Sequence, residues 1–156
     1  MSIEDSIFVM SAHNTREVTA SYCQHLFDDF EIEEVEVVVG QERVSVVKPL
    51  MSIDTFRYFP PELIKQIMHD KVGFDPNIMI AIYYRKPTPC IEALRNDVLR
   101  GVAGLIKTIN CSLAVSFTDM YVLSYHDGEL MIMENPHFKF WTEERLRLFA
   151  DIPYKF

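Results

Sequence analysis

The sequence predicts a single α+β domain, residues 1–156, with a mostly antiparallel sheet of about five to six strands and helices packed on one face. Three observations lead to this class. Most apolar segments are short, and tight turns rather than long crossovers join them. One long amphipathic helical pattern stands among them, but regular βαβ alternation is absent. The length of 156 residues suits one domain with its own core.

The first third of the chain combines strand and helix signals. Asn14 is followed three residues later by Glu17, a capping box that starts a helix. Branched valines that alternate with acids indicate a strand, because this pattern suits a pleated, half-buried surface. The predicted elements are strands over 6–10, 34–40 and 43–47 and a helix over 15–29.

The middle of the chain is less regular, and 49–77 is its least regular part. Two prolines, Pro60 and Pro61, open a helix that Gly73 stops. The residues expected on the buried side of this helix are Leu63, Ile64, Ile67 and Met68. The run 78–84 is apolar on both faces, so it is placed as a central strand.

The strongest helical pattern follows Thr88, an N-cap candidate, and Pro89, a good first helical residue. Gly101 and Gly104 lower its helix propensity by about 1 kcal/mol each, and their bareness allows close packing. The apolar face of this helix is formed by Ile91, Leu94, Val98, Val102, Leu105 and Ile109.

The C-terminal third predicts an alternating strand, a hairpin and a short helix. Residues 112–118 alternate apolar and polar side chains. Asp127 and Gly128 lie between two apolar runs, and both residues tolerate the positive φ that a tight hairpin turn needs. Thr142 caps the last helix. Trp141 is expected in the core.

Composition excludes several classes of protein. The formal net charge of −8 argues against a nucleic-acid binder, which needs a basic footprint. The opening residues lack the basic and apolar regions of a secretory signal, and no apolar run reaches the roughly 18–20 residues of a membrane span. We therefore expect a cytoplasmic protein without membrane contact. The three cysteines are few, odd in number and widely spaced, as in reduced buried thiols.

No motif for catalysis, metal or cofactor binding is found in the sequence. There is no serine elbow, no glycine-rich phosphate loop and no metal-ligand spacing among the five histidines. We therefore expect no enzyme, no metal and no cofactor. The alternative is a small-molecule-binding domain or a small enzyme with a scattered site, with His13 or His126 as its candidate titrating group.

Two groups of residues are candidates for binding a partner. Six acids within nine residues are not interrupted by any base, and this charge would speed encounter with a basic protein. A solvated loop explains such a run as well. Aromatic side chains near residue 56 form the second group, since such residues anchor interfaces or fill cores. The candidates are Asp28, Asp29, Glu31, Glu33, Glu34, Glu36, Phe56 and Tyr58.

The C-terminal half resembles a known family of bacterial immunity proteins. The resemblance is carried by short motifs in a fixed order, mostly within residues 73–154. They are SIE at 2–4, GFDP at 73–76, YRK at 84–86, VLRGVAGL at 98–105, DGEL at 127–130, FWTEERL at 140–146 and PY at 153–154. Together they are similar to the third Sit immunity family, whose members are encoded beside contact-delivered swarming-inhibition toxins.

The resemblance implies a protein that binds and neutralises one cognate toxin. A toxin that this protein meets in the cytoplasm would be a nuclease or a nucleotide-consuming enzyme. An acidic inhibitor suits a nuclease in particular, because the substrate groove of a nuclease is positive. The expected partner is therefore a basic protein toxin, and the sequence is also compatible with a homodimer.

Overall fold

One sheet runs through the computed structural model, which describes residues 3–35, 42–85, 90–137 and 139–155. The strands in these ranges are β1 (Ile3–Met10), β2 (Glu33–Glu34), β3 (Arg43–Val47), β4 (Met51–Arg57), β5 (Ile78–Tyr84), β6 (Ser112–Phe117), β7 (Met120–His126), β8 (Glu129–Ile132) and β9 (Tyr154–Lys155). The helices are α1 (Thr15–Cys23), α2 (Glu62–Val72), α3 (Ile91–Thr108) and α4 (Glu143–Arg147).

The strand order is β2-β3-β4-β5-β1-β6-β7-β8-β9. All neighbouring strands are antiparallel except β8 and β9, which are parallel. The α+β class and the mostly antiparallel sheet are confirmed. The nine strands of the described ranges exceed the number expected from the sequence.

Strand β4 is the main unpredicted strand. It lies between β3 and β5, within the segment that looked irregular. The sequence of β4 lacks the usual alternation of buried apolar and exposed polar residues, because the polar residues Asp54 and Thr55 are buried in it. Asp54 accepts a hydrogen bond from the Ser45 hydroxyl at 2.7 Å and forms an ion pair with Arg43. Polar partners on β3 thus replace the apolar alternation that indicates a strand.

The two faces of the sheet differ in what covers them. On β1, Ile7 and Val9 are fully buried in the core formed with α1 and α3. Phe8 and Met10 alternate with them and therefore lie on the opposite face. There the Phe8 ring packs 5.4 Å from the Tyr58 ring, measured between centroids. The core thus lies on the α1/α3 face, and the opposite face is half-buried.

Helices α1 and α3 pack closely at two glycines, as the sequence predicts. A Cβ atom at Gly101 would lie 2.1 Å from Leu26 Cδ1 and 2.7 Å from Tyr22 Cε1. A Cβ atom at Gly104 would lie 2.3 Å from the His25 ring. Tyr22 is fully buried, and its hydroxyl donates to the Val98 carbonyl at 3.0 Å. The bare backbone of α3 therefore determines how near α1 can approach.

Several predicted ends and turns are confirmed. Asn14 and Glu17 form the full capping box of α1. Gly73 ends α2 in the left-handed conformation, and Asp127 and Gly128 take positive φ in the hairpin turn between β7 and β8. Helix α1 ends at Cys23, before the predicted 29, and the carboxylates of Asp28 and Asp29 would oppose the dipole of a longer helix. The expected cap at Thr88 and Pro89 and most of the strand over 34–40 lie outside the described residues.

Helix α2 contacts the sheet face opposite to α1 and α3, so the expectation that the helices pack on one face holds for α1 and α3 but not for α2. Its buried side chains are Met68 and Val72, and Met68 accepts a hydrogen bond from the Tyr58 hydroxyl at 3.4 Å. The expectation that Leu63, Ile64 and Ile67 are buried is wrong: all three are exposed. The apolar arc of α2 is wider than its contact with the sheet, so only one margin of the arc is covered.

Candidate protein-binding surface

The acidic run follows α1 and lies at the surface. Hydrogen bonds continue the helical turn past the end of α1, as far as Phe27 N–H donating to the Cys23 carbonyl at 3.0 Å. The chain then opens into an exposed segment that leads through β2 to the edge of the sheet. We define the acidic surface as Asp28, Asp29, Glu31, Glu33 and Glu34, all exposed. The sixth acid of the run, Glu36, lies outside the described residues.

Two cations meet the acidic surface. Lys48 Nζ lies 3.6 Å from the Asp29 carboxylate and donates to the Asp29 carbonyl at 2.9 Å. Arg16 Nη1 lies 3.6 Å from the Glu34 carboxylate. Five carboxylates against two cations leave a local surplus of negative charge. Among the described residues, the acids of this surface without an ion pair are Asp28, Glu31 and Glu33.

Exposed apolar side chains border the acidic surface. Val47 ends β3 with 59% of its surface exposed, and Leu50 in the following turn is 47% exposed. Val47 and Lys48 line an open depression of about 420 Å³ together with residues of the acidic surface. Protein-binding surfaces commonly combine apolar contact area with a polar rim. This side of the molecule therefore offers both.

An apolar cleft lies next to this depression and shares Lys48 with it. Its volume is about 250 Å³. We define the apolar cleft by its lining residues, Leu26, Phe27, Lys48, Pro49, Leu50, Met51, Leu94 and Asp97. Sequence reasoning missed this cleft because it is assembled from the end of α1, the β3–β4 turn and α3. The only signal in the sequence was the pair Leu26 and Phe27 directly before the acidic run.

The two aromatic candidates lie elsewhere. Phe56 pairs in register with Met79 of β5, on the face opposite to Ile53 and therefore away from α1. Tyr58 packs on Phe8 of the same face. Both side chains are half-buried. The sheet therefore separates Phe56 and Tyr58 from α1 and the apolar cleft.

The histidines singled out in the sequence have local partners. His13 Nδ1 lies 3.4 Å from the Glu17 carboxylate in the first turn of α1. His126 Nδ1 lies 2.8 Å from the Ser112 hydroxyl, and its Nε2 lies 3.3 Å from the Asp127 carboxylate. Ser112 is buried, whereas catalysis would require a substrate to reach its hydroxyl. This contact joins β6 to the β7–β8 hairpin.

Two of the cysteines, Cys23 and Cys111, are buried, and the described part of the chain holds no cluster of metal ligands. Burial raises the pKa of the Cys23 thiol to about 12 and that of the Cys111 thiol to about 11, which disfavours the reactive thiolate. The described residues contain no group of three or more His, Cys, Asp or Glu side chains that could hold a metal ion.

Comparisons with protein-family models, with curated proteins and with solved structures found no match. None of the helices in the described ranges has the length and apolar character needed to cross a membrane.

Proposed function

We propose that this chain is an immunity protein that binds and neutralises a bacterial toxin. The observation that carries the proposal is the acidic surface, where the described residues place five exposed carboxylates against two cations, beside exposed Val47. Carboxylates without internal partners contribute little to folding, but they attract and orient a basic protein. The resemblance of residues 73–154 to the third Sit immunity family supports the same function.

The proposed partner is a basic toxin that acts in the cytoplasm, such as a nuclease. A nuclease presents a positive groove to its substrate, and a negative protein surface competes for that groove. Binding of this kind requires no catalytic group on the inhibitor. The predicted mode of action is stoichiometric association that depends on salt, because the contact is rich in charge.

The test is neutralisation in cells. The tagged chain is used to capture its partner from the native host, and the partner is then expressed alone and together with the chain. A basic partner that is toxic alone and harmless at about one-to-one stoichiometry with the chain would support the proposal. A captured protein that is not toxic, or whose toxicity the chain does not relieve, would contradict it.

A second candidate function is a small-molecule-binding domain or small enzyme. The observation that favours it is the 2.8 Å contact between the Ser112 hydroxyl and His126 Nδ1. Because Ser112 is buried, this function requires a movement that exposes its hydroxyl, and a serine activated in this way would then react with a fluorophosphonate probe. Labelling of the wild type that is lost in Ser112→Ala would favour this function, and absence of labelling would argue against a serine hydrolase.

A further inference from the structure

The apolar cleft has the size and lining of a receptor for one side chain. Its volume of about 250 Å³ lies below the roughly 300–1,000 Å³ typical of small-molecule pockets. Six of its eight lining residues are apolar. Such a cleft is small for a whole metabolite, but it suits a single large apolar side chain of a protein partner, as at the centre of a binding hot spot.

The floor and rim of the cleft differ in exposure. Met51 and Leu94 are buried and form its floor. Leu50 stands at the rim and is 47% exposed. An inserted side chain would lose water where it contacts the floor and walls of the cleft, and it would also cover part of the exposed surface of Leu50. Burial of apolar surface on both partners would therefore favour occupation of the cleft.

The charges at the rim indicate the chemistry of the partner. The charged residues in the lining already have partners: Lys48 contacts Asp29 and the Phe27 ring, and the Asp97 carboxylate lies 2.8 Å from Arg100 Nη1. The acidic surface begins directly after Phe27 and keeps its surplus of negative charge. Groups that flank an inserted side chain would thus meet carboxylates, and lysine or arginine complements them best.

We propose that the apolar cleft receives one aromatic or leucine-like side chain of the toxin, from a segment in which lysine or arginine flanks that side chain. This inference rests on the proposed function and names the part of the partner that docks. The apolar side chain supplies the contact that slows dissociation, and the basic neighbours supply the charge that speeds encounter.

The first test uses short peptides and the intact chain. A five-residue acetylated peptide with phenylalanine between pairs of basic residues is titrated into the chain labelled at its leucine and methionine methyl groups. Two control peptides replace the phenylalanine by serine or the basic residues by acids. We expect the methyl signals of Leu26, Leu50 and Met51 to move with the first peptide, with affinity at least about tenfold above that of either control. Equal binding of the serine peptide, or shifts confined to other methyl groups, would overturn the inference.

A variant pair tests the cleft within the fold. Leu50→Glu places a charge at the rim, whereas Met131→Glu makes the same change at a methionine of β8 that is 40% exposed. We expect Leu50→Glu to weaken peptide binding at least about tenfold and Met131→Glu to leave it unchanged. Thermal unfolding of both variants shows whether the fold is retained. Equal peptide affinity in the two folded variants would also overturn the inference.

The same variants separate this inference from the proposed function. If the wild type and Leu50→Glu neutralise the toxin equally, the inference fails and the immunity function stands. If the wild type binds the phenylalanine peptide but no toxin is neutralised, the immunity function fails, and with it the toxin as occupant of the cleft. Loss of neutralisation in Leu50→Glu, with Met131→Glu fully active, supports both.

Discussion

Arg95 of α3 forms a buried ion pair with Asp5 of β1, with Arg95 Nε 3.1 Å from Asp5 Oδ2 and side chains only 9% and 1% exposed. Asp5 also accepts the backbone N–H of Thr118 at 3.2 Å. Burial alone would lower the pKa of Arg95, but the hydrogen bonds and charge of Asp5 outweigh burial and raise this pKa. The pair ties the long helix to the central strand of the sheet.

Removing one partner of this pair should destabilise the fold strongly. We expect Arg95→Met to lower the free energy of unfolding by about 3–5 kcal/mol, because Asp5 is left buried and unpaired. The double variant Asp5→Leu with Arg95→Met should recover a large part of that loss, since no buried charge remains. Urea unfolding of the single and double variants measures both effects. A double variant no more stable than the single one would contradict this account.

The two glycines of α3 should respond differently to alanine. At Gly101 the new methyl group meets Tyr22, which is fully buried and held by its hydrogen bond to Val98. We expect Gly101→Ala to lower the free energy of unfolding by about 1–3 kcal/mol despite its better helix propensity.

At Gly104 the neighbour is the half-buried His25 ring, and the whole ring must turn to relieve the contact, because its Cγ also lies 2.3 Å from the new methyl group. We therefore expect Gly104→Ala to lower the free energy of unfolding by less than Gly101→Ala does, because a half-buried ring turns more easily than the fully buried Tyr22 and alanine raises the helix propensity. Thermal or urea unfolding of the two variants gives the comparison. Equal losses at both positions would mean that His25 is as fixed as Tyr22.

Reversing charge on the acidic surface should slow association with the toxin. We expect Glu31→Lys with Glu33→Lys to reduce the association rate constant by about tenfold or more at low salt, because attraction becomes repulsion. The difference from the wild type should shrink as salt rises. The matched control is Glu143→Lys with Glu144→Lys, the same charge change on α4. Stopped-flow binding measures the rates, and equal slowing by the control pair would point to net charge rather than to this surface.

The charge of Glu17 should make the stability of α1 depend on pH. The hydrogen bond from the Asn14 backbone, with a further contribution from His13, lowers the pKa of Glu17 below its ordinary 4.5. Since the folded-state pKa is the lower one, this contribution is present above pH 4.5 and is lost as pH falls through the folded-state pKa.

The variant Glu17→Gln isolates the charge, because glutamine can keep the capping hydrogen bond. We expect the wild type to unfold at higher temperature than this variant near neutral pH, and the difference to vanish in acid. Thermal unfolding across the acidic range provides the measurement. A difference that is constant with pH would assign the effect to packing rather than to charge.

Thiol reactivity should single out Cys90. This residue is half-buried just before α3, whereas burial raises the pKa of Cys23 to about 12 and that of Cys111 to about 11. We expect a disulfide reagent at about pH 8 to modify one thiol quickly in the folded protein and the other two only on unfolding. Cys90→Ser should remove the fast phase, and a fast phase that persists would contradict the assignment.

Patterns among neighbouring residues predicted much of this fold, but they could not predict contacts between residues far apart in the sequence. The capping box at Asn14, the hairpin at Asp127 and the bare face at Gly101 each depend on neighbouring residues, so the sequence shows them directly. The α2 pattern predicted an apolar arc correctly, but it does not say how much of that arc the sheet covers. Asp5 and Arg95 are 90 residues apart, and no local pattern connects them.

Of the candidate binding site, only the negative charge could be predicted from the sequence. The acidic run stands in the sequence as an unbroken set of carboxylates. The apolar cleft beside it needs Leu26, Leu50 and Leu94 to meet, and these residues belong to three separate segments. Phe56 and Tyr58 lie on the face of the sheet opposite to α1, away from the acidic surface. The sequence did not predict this separation, because it depends on how the sheet is assembled.

The position of β1 also has a consequence for the order in which the protein is made. This strand leaves the ribosome before the other described strands, yet its two neighbours in the sheet are β5 and β6. A nascent chain that ends before Ile78 therefore exposes both edges of its central strand. The hydrogen-bond donors and acceptors of β1 must wait for β5 and β6, and β6 is synthesised only after the whole of α3.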